Sequence, residues 1–133
     1  MGCHSVRRRT QCLRSPIRAM SNCIHNIHVL SVLLYRYVVS EIIKNFYAYN
    51  KDPKEYLFYY RDIDQKEIDL IYVNAGDIYP IEVKKGVAPT KPTKNFDVLS
   101  KYKLNIKPGL IIDPCETIRP INEKAYTFPI YLL

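Results

Sequence analysis

Asp69, Glu82, Lys84 and Glu67 are the residues whose types and spacing can do chemistry. They lie on two β-rich runs, Ile68–Val73 and Ile78–Lys84, joined by Asn74-Ala75-Gly76-Asp77. A short loop with Gly between two such runs predicts a β-hairpin. If the loop closes symmetrically, Val73 faces Ile78, Asp69 faces Glu82 and Glu67 faces Lys84. Side chains alternate along a strand, so these four share one face, and Ile68, Leu70, Tyr72, Tyr79, Ile81 and Val83 fill the other. Facing carboxylates repel unless a cation lies between them. Asp69 and Glu82 can offer oxygen ligands to Mg²⁺ or Mn²⁺, and Glu67 adds a third carboxylate nearby. Such an ion polarises a phosphate and acidifies bound water, while Lys84 orients that water and offsets developing charge. The competing reading is a solvated sheet face, with Glu67 and Lys84 as a cross-strand pair worth at most about 1 kcal/mol. Pro80, in the second run, predicts an edge position or a bulge there.

The surrounding pattern supplies the elements that position these groups. Val32, Tyr35, Val39, Ile42, Phe46 and Tyr49 recur at spacings of three and four, which predicts a helix from Val29 to Tyr49. Asn50-Lys51-Asp52-Pro53 ends it. Tyr56–Arg61 is a strand by composition, and its aromatics suit core packing better than base stacking, because no Lys or Arg interrupts them before Arg61. Thr93 can cap a short helix over Lys94–Tyr102 with Phe96, Leu99 and Lys103 along one side. Gly109–Asp113 is a short buried strand, and Tyr126–Leu133 a last extended piece. Helix, three strands, helix, strand and strand predict an α/β fold with a mixed sheet flanked by helices.

A chain of 133 residues accommodates one domain and one core. The net charge is +7, and residues 1–40 hold six arginines and no acid. The remainder is nearly neutral. Residues 1–28 therefore look like a basic, poorly ordered leader, either a solvated tail or an arm for nucleic acid phosphates, and residues 29–133 form the domain. The four Cys show no C-x-x-C spacing. Cys23, His25 and His28 lack the second ligand pair that a zinc site needs. Unpaired thiols suit a reducing compartment, so a cytoplasmic location is expected. The apolar stretch Val29–Val39 is too short for a membrane span and contains Arg36.

The residues so far match the D…(D/E)-x-K pattern of PD-(D/E)XK nucleases through Asp69 and Glu82-Val83-Lys84. Around it stand Tyr59-Tyr60-Arg61-Asp62, Glu67-Ile68-Asp69-Leu70 and Tyr79-Pro80-Ile81-Glu82-Val83-Lys84. With Val39-Ser40-Glu41-Ile42, Lys94-Asn95-Phe96, Gly109-Leu110-Ile111-Ile112 and Phe128-Pro129-Ile130, the chain resembles the C-terminal domain of prokaryotic AAA-type ATPases known as domain of unknown function 4143 (DUF4143). The resemblance implies a restriction-endonuclease-like fold, with Asp69, Glu82, Lys84 and Glu67 as catalytic candidates and Asp69 and Glu82 as metal ligands.

Two departures bear on function. Relatives carry a P-loop ATPase module, and no G-x-x-x-x-G-K-[ST] occurs here, so the chain has no ATP site and looks like a truncated product. Arg36 stands where relatives tend to have an acid that helps complete the metal site. Glu41 is five residues on, roughly 140° around the helix. The resemblance thus implies an accessory nuclease-like domain of an ATPase, partnering nucleic acid, an ATPase domain or another protein. A Mg²⁺-dependent nucleic-acid phosphodiesterase and an inactive remnant are the alternatives.

Overall fold

The computed structural model describes residues 29–86 and 93–133; residues 1–28, with Cys23, His25 and His28, and residues 87–92 lie outside these. The expected helix forms as α1, Val29–Ala48. It ends where Asn50 turns left-handed at φ 55°, a conformation Asn tolerates better than most residues. Asp52 then caps a single turn, α2 (Pro53–Tyr56), by accepting the Lys54 N–H at 3.0 Å. The strands are β1 (Leu57–Arg61), β2 (Glu67–Asn74), β3 (Asp77–Val83), β4 (Asn105–Ile106), β5 (Gly109–Asp113), β6 (Arg119–Asn122) and β7 (Ala125–Pro129).

They form one mixed sheet in the order β1-β2-β3-β5-β7-β6, with β4 pairing the start of β3. β1, β2 and β3 run antiparallel in succession, β3, β5 and β7 are parallel neighbours, and β6 returns antiparallel to β7. The chain is therefore an α/β fold built on a mixed sheet. Helices flank it: Val38 of α1 is fully buried over Leu57, Leu70, Ile81 and Ile112, with Ile42, Ile43 and Phe46 against the same cluster. On the opposite face Phe96, Val98 and Leu99 bury against Ile71, Ile78 and Ile111. That covering segment is a 3₁₀ helix, Phe96–Lys101, shorter and tighter than the helix expected over Lys94–Tyr102. The final piece also divides, into β7 and a 3₁₀ turn at Ile130–Leu132. The aromatics expected in the first strand pack in the core: Tyr60 is buried, Phe58 packs against its cluster, and Tyr56, which falls at the end of α2 instead, meets Phe46 with ring centroids 5.6 Å apart.

Pro80 is neither at an edge nor at a bulge. It is paired with Ile71 in an unbroken register and buried in a central strand. The sheet tolerates it because β3 meets β4 only at Asp77 and Ile78, and β5 only from Ile81 onward. Pro80 falls in the interval, where no parallel neighbour is paired with it. Gly109 fills the same junction. An alanine Cβ there would stand 2.2 Å from the Pro80 carbonyl oxygen and 2.8 Å from the Phe96 ring.

The hairpin turn holds Ala75 at φ 51° and Gly76 at φ 86°, so both turn residues are left-handed. That is the signature of a type I′ turn, which suits the right-handed strand twist and favours Asn-Gly. Alanine carries a steric cost in this region that asparagine largely avoids. Ala75→Asn is therefore expected to stabilise the domain by about 0.5–1 kcal/mol, readable as a higher midpoint in thermal or urea unfolding. An unchanged or lower midpoint would contradict this account of the turn.

Candidate functional site

The hairpin pairs as the symmetric turn requires: Asn74 with Asp77, Val73 with Ile78, Leu70 with Ile81. Leu70, Tyr72, Ile81 and Val83 belong to the cluster beneath α1, and Tyr72 stacks on Tyr79 at 5.6 Å. The expected face holds for these residues. Ile68 departs from it and packs in the opposite cluster. The reason is a bulge: between the pairs Phe58–Ile71 and Tyr60–Ile68, Asp69 and Leu70 stand against the single residue Tyr59. Face alternation resets across a bulge, and the ladder to β3 stops at Leu70 and Ile81.

Asp69 takes over where that ladder stops. Its Oδ2 accepts the Val83 N–H at 2.8 Å, doing for β3 what a backbone carbonyl would otherwise do. Its own carbonyl accepts the Tyr35 hydroxyl at 3.1 Å, which ties α1 to the bulge. The bulge thus aims a carboxylate across the hairpin toward β3. Glu82 is 3% exposed, and Lys84 Nζ donates to its Oε2 at 3.0 Å. Asn95 Nδ2 donates to Oε1 at 3.4 Å from the loop before the 3₁₀ helix. Burial, and next the neighbouring Asp69 carboxylate, push the Glu82 carboxyl up to about 7, with Lys84 opposing.

Glu67 and Lys84 do not form the cross-strand pair expected of them. Glu67 pairs instead with Arg61 on β1 at 3.0 Å, both ends largely exposed, and Lys84 is committed to Glu82. Glu67, Asp69 and Lys84 nevertheless line one open cleft of about 430 Å³, together with Lys85 and, from α1, Ser31 and Tyr35. Glu41 is not in the lining of that cleft and pairs with Lys44 on its own helix. Among the described residues no group of three or more His, Cys, Asp or Glu is placed to hold a metal ion. Asn95 and Tyr35 are contacts the sequence did not announce. Tyr35 stood on the helix stripe and Asn95 at the start of the helix expected over Lys94–Tyr102, but each bonds to an element far away in the chain, which no local pattern gives.

A carboxylate pushed up to about 7 by burial first, and next by a second carboxylate, is a site short of positive charge. The two carboxylates offer only oxygen atoms as ligands, which suits a hard divalent cation. Mg²⁺ is commonly held by one or two carboxylates, the rest of its shell coming from water and substrate phosphate. Asp69 and Glu82 fit that requirement.

A family model described as "Domain of unknown function (DUF4143)" matches residues 33–133. A search of curated proteins and a search of solved structures each return no match. Among the described residues, no helix is long and apolar enough to cross a membrane.

Proposed function

The chain belongs to the DUF4143 family, and on that premise we propose that its hairpin site binds the phosphodiester backbone of nucleic acid through a divalent cation. The observation that carries this reading is the bulge-directed approach of Asp69 to buried Glu82, with Lys84 in contact. Asp69 and Glu82 would hold Mg²⁺ or Mn²⁺. When bound, the ion supplies Lewis acidity toward a phosphate oxygen. Lys84 and Lys85 bring positive charge to the cleft, where a phosphate backbone is attracted. Freed from Glu82, Lys84 stabilises charge developing on a phosphoryl oxygen. The fold type is restriction-endonuclease-like, and the module serves as the accessory nuclease-like domain of a P-loop ATPase.

A second reading is favoured by α1, whose residues lining the cleft include no carboxylate. Under it the domain binds nucleic acid or an ATPase partner without cleaving. The two separate in one assay on single- and double-stranded DNA and RNA with Mg²⁺ or Mn²⁺. Cleavage that falls at least about a hundredfold in Asp69→Asn and Lys84→Ala, with the fold intact, establishes the phosphodiesterase. Cation-dependent binding without cleavage, lost in Asp69→Asn, establishes the accessory role. Folded protein that shows no cleavage and no cation-dependent binding overturns the proposal.

A further inference from the structure

We propose that Asp113 is a second carboxylate partner for Lys84, receiving its ammonium when a divalent cation enters between Asp69 and Glu82; this rests on the cation-site reading. Three observations carry it. First, the parallel ladder pairs Glu82 with Ile111 and Val83 with Ile112, and the Lys84 N–H continues it by donating to the Ile112 carbonyl at 2.8 Å. The next residues in register are Lys84 and Asp113. Second, the two share a face. Ile111 buries with Phe96 and Leu99, Asn95 reaches Glu82 from the same side, and alternation returns Asp113 and Lys84 to it.

Third, Asp113 is 0% exposed and only half satisfied. Its Oδ1 accepts the Cys115 N–H at 3.1 Å and the neutral Cys115 thiol lies against the carboxylate, but Oδ2 has no geometrically sound hydrogen bond and no charged partner. A buried carboxylate oxygen without a donor costs free energy that a charged donor removes. Side chains level on neighbouring strands start about 5 Å apart, within the reach of a lysine.

The cleft also needs such an acceptor. Lys84 holds Glu82 through Oε2, so cation and ammonium compete for one carboxylate. Transfer of the ammonium to Asp113 relieves that competition and satisfies Oδ2, while Lys84 stays charged and stays at the site. Asp113 is then a positioning residue, acting on the cation through Lys84.

Manganese affinity, read by electron paramagnetic resonance on the full chain, tests this. Asp113→Asn keeps the size of the side chain and an acceptor for Cys115, and is expected to weaken Mn²⁺ binding about tenfold. Lys84→Met removes the competitor, so adding Asp113→Asn in that background should change the affinity no further. An equal loss in both backgrounds, or none in either, overturns the proposal. Should Asp113→Asn not fold, the Asp113 side-chain carbonyl carbon is followed by nuclear magnetic resonance in unaltered protein during a Mg²⁺ titration. A shift saturating with the cation supports the transfer, and a static resonance overturns it. If unaltered protein binds no Mn²⁺ in an Asp69-dependent way, the cation-site reading falls, and this inference with it.

Discussion

Replacing Gly109 by alanine is expected to cost about 3 kcal/mol or more and to lower the melting temperature by on the order of 10–20 °C. The added Cβ would lie 2.2 Å from the Pro80 carbonyl oxygen, 2.8 Å from the Phe96 ring and 2.9 Å from Pro80 Cγ. Two of these three neighbours cannot yield cheaply. The carbonyl is backbone of a central strand, and the Pro80 ring has a fixed φ. Phe96 is itself buried against Leu99 and Ile111, so moving it opens the core. The close approach exists because β4 leaves β3 after Ile78 and β5 joins it at Ile81, so Gly109, at the start of β5, runs alongside Pro80. Valine at this position should leave little folded protein. A melting temperature within a few degrees of the original for Gly109→Ala would show that the β3–β5 junction is looser than described.

Glu82→Gln is expected to stabilise the domain at pH 8 by as much as about 3 kcal/mol and to leave it nearly unchanged at pH 4.5. The sign follows from the raised carboxyl. In unfolded chain Glu82 releases its proton around its ordinary 4.5, whereas in the folded protein it holds the proton to about 7. Between those values the folded state binds more protons, so stability falls as pH rises through the interval and then levels off. Glutamine keeps the shape and cannot ionise, so the variant lacks this slope. Unfolding in urea at several pH values, compared between the two proteins, isolates the contribution of this one group. A saturating divalent cation should restore stability to the unaltered protein above pH 7, and should not stabilise the glutamine variant. Parallel pH profiles for the two proteins would show that Glu82 titrates normally and that the site has no deficit of positive charge.

The hairpin was legible because its determinants are local. A tight turn over Asn74–Asp77 fixes the register of both strands, and alternation then places Leu70, Tyr72 and Ile81 without reference to the rest of the molecule. The helix was legible for the same reason: Val39, on the stripe, is fully buried, and Val38 beside it equally so. What sequence could not supply was set by neighbours distant in the chain. The bulge at Asp69 arises from pairing with β1, so the hairpin alone does not reveal it, and neither does the exchange of partners by Glu67 and Lys84. Pro80 read as an edge residue because proline usually avoids central strands. Its permission comes from β4 and β5 pairing β3 on either side of it. Gly109–Asp113 read as a short buried strand, and Asp113 is buried as that implies, but only the parallel register of β3 with β5 brings it level with Lys84.

The central claim is that Asp69 and Glu82 together hold a divalent cation, and calorimetric titration of the intact chain with Mn²⁺ at pH 7.5 addresses it most directly. The account predicts one saturable site that disappears in Asp69→Asn while the variant keeps its fold. It also predicts proton release on binding, because Glu82 carries part of a proton near that pH and must lose it to bind a cation. Folded protein that binds no Mn²⁺, or binds it equally well without the Asp69 carboxylate, would contradict the account.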